Sequence, residues 1–277
     1  MEILDIIKES FIFPTKNLDK LAIYIVLLFV IGLLSFGGAL SIYYAVQESS
    51  VYMILVAILF IMSIVLGFLI TGYQVGILKS GIDMDDEAPG FDWKNDIITG
   101  IKMVIANIVY MIIPAIIIGI VALITNVPGN VLQFSQEIAA NSANVTAAAN
   151  STGVLASVSE PTMAAFGTSI AITAMVAFVL IIIFSIFLSM GEARLAKTGS
   201  LGEALNIPEA IRDIPRIGVG KVIAVFILIF VIIAVIQAIL NTLSAAIPPL
   251  AILSIIVTPY LTFFSSRAWG LLYSDIA

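Results

Sequence analysis

Long stretches without any charged residue restrict this chain more than any other feature of its sequence. The stretches are Leu21–Gln47, Val51–Leu78, Met103–Thr125, Thr162–Gly191 and Val222–Ser266. A helix needs about 20 apolar residues to cross the hydrocarbon core of a bilayer, and the last stretch is long enough for two helices. Pro248 and Pro249 near its middle remove two backbone donors and favour a break. The sequence therefore predicts an all-α integral membrane protein with six transmembrane helices. We place them at roughly Leu18–Val46, Val51–Ser80, Trp93–Thr125, Met163–Gly191, Gly220–Ala246 and Leu250–Leu271.

The basic residues predict the orientation of these helices. All 12 Lys and Arg residues lie before the first charge-free stretch, between the second and third, between the fourth and fifth, or after the last. Lys and Arg are enriched in the cytoplasmic loops of membrane proteins. The distribution therefore predicts a multi-pass protein of the cell membrane with both termini in the cytoplasm.

The composition excludes several functional classes. Apolar residues make up 61% of the chain and charged residues 11%, whereas soluble domains hold about 45–50% and 25%, so a soluble domain is excluded. The absence of His and Cys removes disulfides, His/Cys metal sites and His-dependent nucleophilic catalysis. A net charge of −6 makes nucleic acid a poor partner. We predict no catalytic residue, no cofactor and no metal site.

We interpret the chain as one membrane domain, residues 1–277, made of three helical hairpins. Each hairpin follows a cytoplasmic interfacial segment, and the three parts cover residues 1–80, 81–199 and 200–277. The middle part contains a cytoplasmic acidic loop and a long outer loop over residues 126–161. In this organisation, segments rich in charged and polar residues alternate with pairs of transmembrane helices.

A weak internal repeat supports this organisation. Residues 2–32 align without gaps on residues 203–233, with Pro14 matching Pro215 and Lys20 matching Lys221. Because both segments run in the same direction, the alignment predicts a parallel repeat.

The first interfacial segment, Glu2–Phe13, is amphipathic at helical period. Ile3, Ile7 and Phe11 fall on one side of the predicted helix, which is expected to lie along the inner membrane surface. Two interpretations of the three interfacial segments remain open. They pack on the cytoplasmic mouth of the helix bundle itself, which we favour, or they dock a partner.

Uncharged polar side chains are the only candidates for a site within the predicted spans. Asn107 and Tyr110 share a face of the third helix, and Gln237 and Asn241 share a face of the fifth. They form either a polar crevice or ordinary hydrogen bonds between helices, and we favour the hydrogen bonds. Glu192 lies at an inner helix end, where it is expected to pair with Arg194 or a loop base.

The outer loop contains two sequons for N-glycosylation. They begin at Asn144 and Asn150, within a stretch rich in Ala, Asn, Ser and Thr. Their predicted position outside the cell is consistent with glycosylation, so both are candidate modification sites.

One pattern resembles a known family. A Gly-Tyr pair at a helix exit is followed by an acidic loop ending in Pro-x-Phe, then by Gly-x-Lys and a span with Tyr and Pro. These residues are Gly72, Tyr73, Pro89, Phe91, Gly100, Lys102, Tyr110 and Pro114. The pattern resembles a domain-of-unknown-function family of multi-pass membrane proteins, mainly archaeal with some bacterial members. The resemblance implies a membrane location and carries no activity.

Three functional hypotheses follow. The favoured one is a non-enzymatic protein with a structural, assembly or envelope-associated role. The second is a carrier or channel for a neutral or amphipathic solute, not coupled to protons through buried carboxylates. The third, a lipid enzyme using Asp86 or Asp92, ranks last because no acid–base pair can be named. The expected surroundings are the lipid bilayer, and the candidate partners are a second copy of the chain or another membrane protein.

Overall fold

The computed structural model describes residues 1–47, 51–142 and 158–277. Every regular element in these ranges is a helix, which confirms the all-α class. The α-helices are α1 (Ile3–Lys16), α2 (Leu18–Gln47), α3 (Val51–Ile82), α4 (Trp93–Ile124), α5 (Val127–Ser142), α6 (Glu160–Thr198), α7 (Leu201–Ala204), α8 (Ile207–Ile217), α9 (Val219–Ala246) and α10 (Ser254–Tyr273). Two short 3₁₀ helices, Pro248–Leu253 and Ser274–Ile276, flank α10.

Six helical segments are long and apolar enough to cross a membrane, as predicted. They are α2, α3, α4, α6, α9 and the segment Pro248–Ile276 that contains α10. The pairing of these spans into three hairpins and the parallel repeat stay predictions. The described chain divides into two compact units, the first formed by residues 1–108 and 186–277 and the second by residues 109–185.

The ends of several helices follow from local chemistry. Asp92 caps α4, because its Oδ1 accepts a hydrogen bond from the Asn95 amide at 3.1 Å. Ser200 caps α7 in the same way. Helix α9 ends before Pro248, where the proline pair starts a 3₁₀ turn, so the predicted break is confirmed.

Aromatic side chains form the core of the first unit where α1, α2, α3 and α10 meet. Phe13, Tyr24, Tyr73 and Phe263 are almost completely buried there. The Tyr24 and Phe263 rings meet edge to face, with 5.3 Å between centroids, a favourable aromatic geometry. This core lies towards the ends of the spans that carry the basic residues, which we call the charged end.

The fully buried residues of the amphipathic helix α1 lie outside its apolar stripe. Its buried residues are Ile6, Ser10, Phe13 and Pro14, whereas Leu4 stays 75% exposed. Of the stripe identified in the sequence, Ile3 and Ile7 are half-buried, and the Phe11 ring meets the Tyr260 ring of α10 with 5.4 Å between centroids. The interfacial position of α1 stays a prediction.

Glycines allow two pairs of helices to touch at the charged end. A Cβ atom on Gly72 of α3 would lie 1.8 Å from the carbonyl oxygen of Asp96 on α4, and one on Gly100 would lie 1.9 Å from that of Phe68. On the other side of α3, a Cβ atom on Gly270 of α10 would lie 2.2 Å from the Leu78 carbonyl oxygen. Only glycine permits such backbone contact between helices.

The second unit contains the far half of α4, all of α5 and the first part of α6. The Phe134 and Phe166 rings stack with 4.4 Å between centroids. The Glu137 carboxylate accepts hydrogen bonds from the Ser159 amide at 2.8 Å and from the Thr162 hydroxyl. These contacts tie α5 to the start of α6.

Candidate functional site

A half-enclosed pocket of about 350 Å³ lies at the charged end of the first unit. Its polar lining comes from four helices: Thr71 and Gln74 of α3, Asn107 of α4, Glu192 of α6 and Ser266 of α10. The volume falls within the roughly 300–1,000 Å³ of typical ligand sites. The pocket is therefore large enough for a small organic molecule.

The apolar residues that line the pocket are spaced along α3 and α4 so that they share a helix face with the polar ones. Val75 and Leu78 share a face of α3 with the polar residues, and Met103, Val104 and Ile108 do the same on α4. Residues three or four apart lie on one side of a helix. Helices α3 and α4 thus each contribute one face of mixed polar and apolar side chains to the pocket.

The close backbone contacts of α3 position these faces. Gly72 and Gly100 hold α3 against α4 next to Thr71, and Gly81 and Gly270 hold α3 against α10 one turn beyond Leu78. Because the backbones meet at these glycines, the contacts fix the distances of α3 from α4 and from α10. The side chains near these contacts line the pocket.

Two lining side chains already have partners within the protein. The Thr71 hydroxyl donates to the Gly67 carbonyl oxygen at 2.9 Å, a common arrangement inside helices. The Gln74 amide nitrogen donates to the Tyr24 hydroxyl at 2.6 Å. Each bond uses one donor of its side chain and leaves the side-chain oxygen able to accept.

Glu192 is the one acidic residue in the lining. Within the described ranges its carboxylate makes neither a hydrogen bond nor an ion pair. Arg194 does not pair with it as the sequence led us to expect, because residues two apart on a helix point in different directions. The Arg194 guanidinium instead bonds Asp213 at 2.9 Å and also Glu203.

The other arginine near the pocket is also neutralised elsewhere. Arg267, next to Ser266, is fully buried, and its guanidinium bonds the Glu9 carboxylate at 2.6 Å. It also donates to the Asp85 carbonyl oxygen and lies 4.6 Å from the centroid of the Phe13 ring. Its charge is therefore balanced without Glu192.

Of the four residues proposed from sequence as a polar crevice, Asn107 alone is among the lining residues. Tyr110 is fully buried further along α4, whereas on α9 Gln237 is half-buried and Asn241 is exposed. This pocket thus contains one of the four residues, and the crevice formed by all four stays a prediction. The candidate glycosylation sites Asn144 and Asn150 lie outside the described residues.

Sequence reasoning missed four of the five polar lining residues. Thr71 and Gln74 stand three residues apart on α3, a spacing that signals a shared face. Glu192 follows directly after the charge-free stretch Thr162–Gly191, so a search for charges in the middle of a span passes over it. Its place as the first acidic residue after that stretch, still within α6, was the signal that could have identified it.

Comparisons with known proteins give one match. The model of a family described as "Protein of unknown function (DUF4013)" matches residues 55–245. The match covers more than half of the chain and contains every polar lining residue except Ser266. No curated protein and no solved structure matches the chain.

Proposed function

Because the chain belongs to the DUF4013 family of unknown function, we propose a function from the pocket itself: this non-enzymatic, multi-pass membrane protein binds a small polar solute, as a carrier does. The observation that carries the proposal is the convergence of polar side chains from α3, α4, α6 and α10 on one pocket. Ligand sites combine an apolar lining with a few convergent polar groups. This lining has that composition.

The hydrogen bonding of the lining supports binding over catalysis. Nucleophilic catalysis needs a base within hydrogen-bonding reach of the nucleophile. The Thr71 hydroxyl is bonded to the main chain of its own helix. In the described part of the chain, Glu192 accepts no hydrogen bond from any hydroxyl group. We therefore propose that the chain is not an enzyme.

The distribution of basic residues supports a cytoplasmic position for the pocket. All lining residues lie in the halves of their helices nearest to the Lys- and Arg-bearing segments. If those segments are cytoplasmic, the solute enters from the cytoplasmic side of the cell membrane, and both termini are on that side.

A matched pair of variants tests the proposal. Asn107→Leu changes a lining residue, and Asn241→Leu makes the same change at an exposed position on α9. We expect a panel of small polar solutes to contain at least one that raises the melting temperature of the purified full-length protein. The shift should disappear in Asn107→Leu and persist in Asn241→Leu.

Two results would contradict solute binding in this pocket. One is a complete panel without any stabilising solute. The other is a shift that persists in Asn107→Leu and disappears in Asn241→Leu, which would place the solute on α9 instead.

A structural or assembly role is the second candidate, and the locked charged end favours it. Asp275 bonds the Met1 amino group at 2.9 Å and also Lys221, so both chain ends are held together beside α9. Such a fixed surface suits a permanent partner.

A single cysteine introduced at the exposed Arg212 of α8 tests this role, because the natural chain has no Cys. Assembly predicts a discrete cross-linked species in cells, and recovery of the uncross-linked monomer alone contradicts it.

A further inference from the structure

We infer that the solute of this pocket is an organic cation with an ammonium group, and that the Glu192 carboxylate is its counter-ion. The inference rests on the proposed function, since it assigns a chemical class to the solute bound between α3, α4, α6 and α10. The second hypothesis drawn from the sequence named a neutral or amphipathic solute instead.

The first argument is the charge balance around Glu192. The carboxylate lies in a pocket at the charged end, and two basic residues of that end, Arg194 and Lys102, have other partners in the described ranges. Arg194 pairs with Glu203 and Asp213, and the Lys102 ammonium donates to the Gly199 carbonyl oxygen at 2.7 Å. A partly buried charge is costly unless it is paired. A bound cation supplies the missing partner.

The second argument is the supply of hydrogen-bond acceptors in the lining. The Thr71 hydroxyl and the Gln74 amide nitrogen donate to Gly67 and Tyr24, and these bonds do not use the side-chain oxygens as acceptors. The Asn107 side chain adds an amide group with a carbonyl oxygen. An ammonium group has three donors and no acceptor. The lining is complementary to it.

The third argument is the apolar part of the lining, which separates an organic cation from a metal ion. Hard metal cations take about six or more oxygen ligands, several of them carboxylates. No group of three or more acidic residues that could hold a metal occurs in the ranges that the structure describes. Val75, Leu78 and Met103 instead offer contacts for an alkyl chain.

The test uses purified full-length protein and three probes. The first is n-butylammonium, the second is n-butanol as its neutral counterpart of equal length, and the third is tetramethylammonium, a cation without N–H donors. We expect n-butylammonium to raise the melting temperature most, tetramethylammonium less and n-butanol least. The comparison needs no variant, so it stays informative whatever a substitution does to folding.

Matched variants then assign the charge. Glu192→Gln keeps the shape of the side chain and removes its charge, and Glu160→Gln makes the same change at the other end of α6. We expect Glu192→Gln to weaken n-butylammonium binding about 30-fold or more, as expected for the loss of one partner of a charge pair. Glu160→Gln should bind as the natural protein does. If Glu192→Gln does not fold, Glu192→Asp retains the charge and should retain preference for the ammonium over the alcohol.

The outcomes separate this inference from the proposed function. Equal stabilisation by n-butylammonium and n-butanol, or ammonium binding that survives in Glu192→Gln, overturns the cationic solute while the pocket stands. If neither these probes nor the wider solute panel gives a shift that Asn107→Leu removes, both the inference and the proposed function fail.

Discussion

The ring of Tyr73 lies flat against the ring of Phe91, with 3.8 Å between centroids and 6° between planes. The Tyr73 hydroxyl donates to the Pro89 carbonyl oxygen at 3.0 Å, and the Pro89 ring packs above Gly76 at a distance that leaves little room for a Cβ atom. These contacts hold the acidic loop between α3 and α4 on the wall of α3. Packing thus accounts for Tyr73, Pro89 and Phe91, three residues of the pattern that resembles the family.

We expect the aromatic stack to contribute measurably to stability. Phe91→Ala removes one ring of the pair and should lower the free energy of unfolding by about 2 kcal/mol, since Phe91 is only half-buried. Tyr73→Phe keeps the stack, loses one hydrogen bond and should cost about 1 kcal/mol. SDS titration of the purified protein measures both. Phe36→Ala, at a position 66% exposed, should change stability by less than about 0.5 kcal/mol; a larger effect there than at Phe91 would contradict the assignment.

The contact between α3 and α4 predicts a sharp difference between two glycines of the same helix. Gly72→Ala would place a methyl group 1.8 Å from the Asp96 carbonyl oxygen, whereas Gly67 has nothing within 4 Å of its Cβ position. Gly72→Ala should lower the free energy of unfolding by about 3 kcal/mol or prevent folding, because two backbones must separate.

Gly67→Ala is the matched control. It should leave stability unchanged or raise it by up to about 1 kcal/mol, because Ala is the better helix former. Thermal unfolding of the two purified variants is the measurement. Equal tolerance of both alanines would show that α3 and α4 do not meet at Gly72.

These two glycines also show what sequence can predict here. Both belong to ladders of small residues at four-residue spacing on α3, and the spacing alone does not distinguish them. Small residues allow close approach, but which neighbour approaches is decided by tertiary packing. The six spans, the break at Pro248 and the cap at Asp92 were predictable because local composition decides them.

The pocket was not predictable for the same reason. Its polar residues come from four helices that are distant in sequence, and each alone resembles an ordinary polar residue near a helix end. Asn107 was identified because it lies within a charge-free stretch, and Glu192 was set aside because it lies just outside one. Of the two partners expected for Glu192, Arg194 or a loop base, Arg194 bonds Asp213 instead.

We expect the buried ion pair between Arg267 and Glu9 to contribute strongly to the stability of the charged end. Arg267→Ala leaves the partly buried Glu9 carboxylate without its partner and should lower the free energy of unfolding by about 3–5 kcal/mol. Arg267→Lys keeps the charge but should still be destabilising, because one ammonium cannot reproduce the bonds to Glu9, Ser80 and the Asp85 carbonyl oxygen.

Arg212→Ala is the control for this prediction. Arg212 is 67% exposed and pairs with Glu209 on the surface of α8, so its loss should cost less than about 1 kcal/mol. Chemical unfolding of the three variants gives the comparison. A loss at Arg267 no greater than the loss at Arg212 would show that the buried pair does not stabilise the fold.

The second unit should lose stability at acidic pH through Glu137. Hydrogen bonds from the Thr162 hydroxyl, the Ser159 amide and the Ser159 hydroxyl hold the pKa of its carboxyl below the ordinary value. A carboxyl whose pKa is lower in the folded than in the unfolded protein stabilises the fold above its unfolded-state pKa. This stabilisation is lost as the pH falls through the folded-state pKa.

We therefore expect Glu137→Gln to have a lower melting temperature than the natural protein at neutral pH. The two melting curves should converge as the pH falls below about 4. Glu160→Gln, at the first residue of α6, is the control variant and is measured over the same pH range. A difference for Glu137→Gln that is independent of pH would show that the charged form of Glu137 is not what ties α5 to the start of α6.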